Sequence, residues 1–164
     1  MDAQNALETL ISEIKAETGV DLAFDENGMT VLQHESEVAV ILTADYASGL
    51  MRINTLLGSI ADANREELLG DLMVVNFFPQ VYGPFFFALN PEQTHLFLMS
   101  RTPILSLDAH GLIDHCNQLV RAHQILSELL VGPLSGRGRL SQAIAERFDD
   151  AESGAKSDVP ATFV

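Results

Sequence analysis

Apolar residues near the start of the chain recur at helical spacing. Leu7, Leu10, Ile11 and Ile14 fall at i, i+3, i+4 and i+7, which predicts an amphipathic helix over residues 3–18. Glu8, Glu13, Lys15 and Glu17 lie largely off that stripe, and Gly19 supplies a C-terminal stop. The period then changes to two. Val20, Leu22 and Phe24 alternate with Asp21 and Ala23 and read as a strand, closed by the turn Asp25-Glu26-Asn27-Gly28. Met29 to Gln33 reads as a returning strand, and His34-Glu35-Ser36 as a second turn. The β-branched run Val38 to Thr43 and the segment Leu50 to Leu57 read as further strands.

A second helix is expected over residues 62–77, with Asp62 or Asn64 as cap and Glu66 and Glu67 in its first turn. Leu68, Leu69, Leu72, Met73, Val74, Val75 and Phe77 make it apolar over more than one stripe, so it has two faces to bury. One face suits its own sheet, and a second copy of the chain suits the other. Pro79 and Gly83-Pro84 end it. Phe85 to Leu89 and His95 to Arg101 predict an antiparallel hairpin around Asn90-Pro91-Glu92-Gln93, with Ile104 and Leu105 continuing extended beyond Pro103. Asp108 opens a third helix that runs to about Leu130 and stops at Gly132-Pro133. This is the α+β class, an antiparallel sheet with three helices in the order α-βββ-α-ββ-α. Residues 1–131 are read as the domain and 132–164 as a C-terminal extension, with a short helix from Leu140 to Phe148 and a mobile tail from Asp149.

The chain has 164 residues, of which 47% are apolar, enough for one core. Its longest apolar stretch, Leu72 to Leu89, is interrupted by Asn76, Pro79, Gln80, Gly83 and Pro84, so no membrane-spanning segment is expected. Met1-Asp2-Ala3-Gln4-Asn5 has no basic n-region and is read as no secretory signal. A single cysteine, Cys116, excludes an internal disulfide and fits a reducing compartment. The formal charge of −14 argues against nucleic acid and anionic membranes as partners.

No catalytic or metal-binding pattern emerges. An EF-hand loop starting at Asp25 would need glutamate at its twelfth place, where Ser36 stands. His34, His95, His110, His115 and His123 form no HExxH pattern, and His115 and Cys116, adjacent on a helix, point about 100° apart. Gly136-Arg137-Gly138-Arg139 is basic but follows no strand, and no GxSxG is present. Neither cofactor nor metal is expected. What the pattern does show is surplus apolar surface, in Phe85-Phe86-Phe87 and in the second helix.

Three segments carry a resemblance. Leu10 through Gly19-Val20-Asp21-Leu22-Ala23-Phe24-Asp25-Glu26-Asn27-Gly28 resembles the opening of class I type III secretion chaperones of the Tir-chaperone type. Arg65-Glu66-Glu67-Leu68-Leu69-Gly70-Asp71-Leu72-Met73-Val74-Val75-Asn76-Phe77 is similar to their second helix, and Phe87-Ala88-Leu89-Asn90-Pro91-Glu92 with His95-Leu96-Phe97-Leu98 to their last hairpin. The resemblance spans about residues 3–131 and rests on order and spacing rather than on one motif. It implies a bacterial cytoplasmic, non-enzymatic homodimer. This would hold the N-terminal region of a secreted effector in extended form, soluble and ready for export, with the secretion apparatus as a further partner. On that reading Leu68, Leu69, Leu72, Met73 and Val75 form the dimer contact, and Leu10, Ile14, Leu22, Phe24, Phe85 and Phe87 meet the effector. The alternatives are an adaptor or regulator of related fold that binds a folded protein, and a small enzyme using carboxylates with His95 or His115.

Overall fold

The computed structural model of the chain describes residues 2–60, 65–77 and 83–131, together with Glu146. The elements are α1 (Ala3–Thr18), β1 (Met29–Gln33), β2 (Ala39–Asp45), β3 (Leu50–Ser59), α2 (Arg65–Phe77), β4 (Phe86–Leu89), β5 (His95–Pro103), a 3-10 turn (Ile104–Ser106) and α3 (Ala109–Val131). The strands form one five-stranded sheet in the order β1-β2-β3-β5-β4. The expected α+β class, with three helices and an antiparallel sheet, is the fold observed.

The described residues divide into two compact units, one built from residues 2–55 and 100–120, the other from those within 56–99 and from 121–131. In the first, α1 begins where the Asp2 side chain accepts the Asn5 backbone N–H at 2.8 Å. It ends where Gly19, at φ +76°, donates its N–H to the Lys15 carbonyl. Its buried residues are Ala6, Leu7, Leu10 and Ile14, the stripe read from the sequence with Ile11 at its margin. α1 lies against the 3-10 turn, where Ile104 is 1% exposed. β2 pairs with β1 through Thr30↔Leu42 and Leu32↔Val40, and with β3 through Leu42↔Ile53 and Ala44↔Met51. Val40, Leu42, Met51 and Ile53 are fully buried, so the alternation along β2 separates a core face from a second face.

Two readings are corrected here. Val20 to Phe24 is not a strand: it enters no ladder, and Lys15 instead ties the segment to α1 through Asp21 at 2.8 Å. Alternation over so few residues specifies a strand only where a neighbouring edge receives it. Ile104 and Leu105 are not extended. They belong to the 3-10 turn, whose Ser106 hydroxyl donates to the Pro103 carbonyl at 2.8 Å. The Asp25–Gly28 turn forms as expected, and Gly28 sits at φ +69° with the Ala44 carbonyl 2.7 Å from where a Cβ would stand, so only glycine fits.

In the second unit α2 packs on β4, and β4 pairs with β5 in the register Phe87↔Leu98. Leu72, Val75, Phe85, Phe87, Leu96 and Leu98 are all buried. The expected caps Asp62 and Asn64, the short helix from Leu140 and the tail from Asp149 lie outside the described residues.

Candidate functional site

The two ends of the sheet differ in chemistry. At β4, the Asn76 side chain on α2 takes both outward backbone groups of Phe87. It accepts the Phe87 N–H on Oδ1 at 2.7 Å and donates from Nδ2 to the Phe87 carbonyl at 3.0 Å. A carboxamide carries a donor and an acceptor side by side, as a backbone peptide does, so Asn76 stands where a neighbouring strand would. The outer edge of β4 is closed at that point.

β1 is not closed in this way. The bonds Ala44 N–H to Gly28 C=O at 2.7 Å and His34 N–H to Val38 C=O at 3.0 Å fix which β1 residues bond to β2. Antiparallel ladders alternate, so Gly28, Thr30, Leu32 and His34 face β2, and Met29, Val31 and Gln33 turn their N–H and C=O groups outward. Met29 is already used: its N–H donates to Asp25 Oδ1 at 2.8 Å and its carbonyl accepts the Asp25 N–H at 2.9 Å. Among the described residues, Val31 and Gln33 remain as the open edge. Edge strands are usually protected by lysine, proline or a bulge. Met29-Thr30-Val31-Leu32-Gln33 has no charge and no proline, and Val31 is 54% exposed. A cleft of about 420 Å³ runs beside it, walled by Thr18–Leu22 on one side and Thr30–Leu32 on the other.

The charges of this region are mostly acidic, with Lys15 paired to Asp21 as the counter-charge. Between Lys15 and Arg52 the sequence contains no lysine or arginine, but it contains Asp21, Asp25, Glu26, Glu35 and Glu37 around β1. All five are exposed. The Met29 backbone N–H, bonded to Asp25, holds that carboxyl below the ordinary aspartate range.

On the second unit, α2 offers a different surface. Met73 is 74% exposed, Val74 49% and Phe77 78%. Beside them a cleft of about 350 Å³ is lined by Leu69, Met73, Asn76, Phe87, Leu89 and Leu96.

Of the residues expected at the effector, Leu10, Ile14, Leu22, Phe85 and Phe87 are buried in the single chain and Phe24 is half-buried. The apolar stripe of α1 and the Phe85/Phe87 side of β4 are used by the chain's own core, and only Phe86 of the aromatic run stays half-buried. Of those expected at the dimer contact, Leu72 and Val75 are buried, Leu68 and Leu69 half-buried, and Met73 exposed. The sequence reading did not single out Val31 and Gln33, whose signal was an uncharged strand in a stretch without a basic residue. Nor did it give Asn76 a role beyond the resemblance.

Of the two histidines named for an enzyme, His115 is half-buried and His95 exposed. Ser100 Oγ and His115 Nε2 are 2.6 Å apart, but Ser100 is 1% exposed and no substrate reaches it. The Cys116 thiol is pushed up to about 12 by burial, which keeps it protonated. His95 is exposed and bonds the Thr94 hydroxyl. Among the described residues no group of histidine, cysteine and carboxylate side chains is placed to hold a metal ion, and no helix is long and apolar enough to cross a membrane.

Comparison with known proteins agrees with this picture. The fold matches a chain of the ExsC–ExsE complex at a TM-score of 0.68 and 18% identity, covering 82% of this chain and 100% of that one. It matches the HopA1–SchA chaperone–effector complex at 0.63 and 19%, covering 78% and 98%. It matches the type III secretion chaperone SycH of Yersinia pestis, solved with a stable fragment of YscM2, at 0.55 and 20%, covering 70% and 94%. No curated protein matches the sequence. The model of the Tir chaperone protein (CesT) family matches residues 9–127, most of the chain and all of the elements from mid-α1 into α3. The protein is therefore a member of the Tir chaperone protein (CesT) family of non-enzymatic chaperones, the type III secretion chaperones.

Proposed function

We propose that the chain works in the cytoplasm as a homodimer that holds the N-terminal region of a secreted effector in extended form, soluble and ready for export. The observation that carries this reading is the open edge of β1 beside its cleft. An extended segment gains main-chain hydrogen bonds only where a strand has N–H and C=O groups to offer, and Val31 and Gln33 offer them. Ordering a disordered segment costs conformational entropy, so the contact also needs apolar area. Val31, Met29 and the half-buried Phe24 supply it at the surface. Leu10, Ile14 and Leu22 lie in the core of the first unit, and Phe85 and Phe87 in that of the second, so their part in holding the effector is indirect.

The second copy sits on α2. Met73, Val74 and Phe77 form an uncharged apolar surface, with Gly70 exposed on the same stripe. A twofold contact brings each patch against its own copy, and in a chain of formal charge −14 an apolar patch is where two copies repel least. Met73 and Leu69 stand at this seam, with Leu68 at its margin and Leu72 and Val75 forming the layer below.

Light scattering of the purified protein is expected to give about twice the 17.9 kDa chain mass. Co-expression with a candidate effector is expected to give a complex in which proteolysis spares the effector's N-terminal segment. A monomer, or a complex in which the protected part of the partner is a folded domain, would favour the adaptor reading.

A further inference from the structure

The charges around β1 say which segment its edge accepts. We infer that the open edge of β1 selects a short β-prone segment bracketed by basic residues, with its main chain paired to Val31 and Gln33. This rests on the reading that the chain captures a partner in extended form, and adds the register and the chemistry of what is captured.

The register follows from what is left unpaired. Asp25 occupies both outward groups of Met29, so an added strand cannot extend past that residue. At the other end the chain turns back at once: Glu37 donates its N–H to the His34 carbonyl at 2.9 Å, and the Ser36 N–H reaches His34 Nδ1 at 3.1 Å. Between these two stops only Val31 and Gln33 face outward, so the paired stretch is short and its ends lie beside the two turns.

Both turns are acidic. Asp25 and Glu26 flank one end, and Glu35 and Glu37 the other. Asp21 stands in the cleft wall, where Lys15 pairs with it at 2.8 Å, both side chains being well exposed. A lysine or arginine on either side of the paired stretch meets these carboxylates. An acidic residue there is repelled, which excludes wrong partners as well as favouring right ones. The same charges rule out a second copy as the occupant, since two β1 edges would set one group of carboxylates against the other. The second copy's place is α2, and the edge is left for a partner.

The test uses the full-length, isotope-labelled protein and two synthetic probes: a short peptide of alternating threonine and valine flanked by lysines, and its twin flanked by glutamates. The lysine peptide is expected to shift and protect the Val31 and Gln33 amides. The glutamate twin is expected to bind at least about tenfold more weakly at low salt, the sum of several exposed charge contacts. The gap should narrow as salt is added. Val31→Pro removes an outward N–H without touching the β2 ladder, so the variant folds and loses the peptide. The double variant Glu26→Lys with Glu35→Lys should remove or reverse the preference. Equal binding of the two peptides, binding of neither, or shifts confined to other elements would overturn the inference. An effector complex that survives both variants would overturn it too, and would leave the chaperone reading standing. Failure of that reading shows separately, as the absence of any complex with the unaltered chain.

Discussion

Asn76 is one side chain with two backbone contacts, and its removal leaves the Phe87 N–H and C=O without those bonds. Asn76→Ala is expected to cost about 1–3 kcal/mol, read as a lower denaturation midpoint, and to raise aggregation through the opened β4 edge. Asn76→Asp keeps the acceptor and loses the donor, so its effect should be intermediate. Cys116 makes a sharper case, because burial both hides the thiol and keeps it protonated. An alkylating reagent should leave it unmodified in the native protein and label it fully in denaturant. Two histidines contribute to the response to mild acid. Burial holds His115 below the ordinary imidazole range against the opposing pull of Asp114, and holds His123 below it against the Leu56 carbonyl at 3.0 Å. The unfolded chain therefore binds these protons more readily than the folded one. Their contribution is complete above pH about 6.5 and is lost as the pH falls through the lower folded values. Melting temperature should fall between pH 7.5 and 5.5, and replacing His123 by glutamine should flatten that fall; an unchanged profile would remove the histidines as its cause. None of these roles is visible in the residue types alone. A cysteine flanked by polar residues reads the same buried or exposed, and an asparagine at a helix end reads as a cap until its contact across the chain is seen.

At the scale of elements, α2 carries both buried and exposed apolar residues, and the two sets could not be told apart from the sequence pattern. Leu72 and Val75 bury against the chain's own hairpin, while Met73, Val74 and Phe77 point outward. Substitutions one residue apart should consequently behave differently. Leu72→Asp places an unpaired charge inside the second unit and is expected to destabilise it by on the order of 4 kcal/mol. Met73→Asp leaves the folded chain intact and should yield a monomer, because the charge then meets its own copy across the seam. Circular dichroism separates the first outcome from the second, and light scattering reads the second directly. A stable dimer of the Met73→Asp variant would move the seam off α2. The strands were read by the same logic with a different weakness. β2 was legible because its β-branched run alternates strictly with a buried face, whereas β3 buries Ile53, Asn54 and Thr55 in succession and alternates less regularly. Val20 to Phe24 alternates too, yet nothing pairs with it, since alternation describes one face and pairing requires a neighbour.

At the scale of the whole molecule, the proposed function asks an acidic chain to associate with itself and with a partner. At a formal charge of −14 two copies repel, so dimerisation should strengthen as salt is raised, whereas capture of a basic segment should weaken. Sedimentation across a salt series checks the first, and peptide titration the second. The amino-acid sequence by itself determined the α+β class, the order of the main elements, the family and the absence of a catalytic motif. These depend on local periodicity, turn chemistry and composition, which each segment carries within itself. Tertiary structure alone decided which apolar residues are spent on the core and which are left outside. It placed Leu10, Ile14, Leu22, Phe85 and Phe87 inside and Met73, Val74, Phe77 and Val31 at the surface. It also decided that one sheet edge is closed by Asn76 and that the other, among the described residues, is open. Those outcomes are set by which residues meet across the chain, and hydrophobicity is the same property whether a side chain fills a core or waits for a partner.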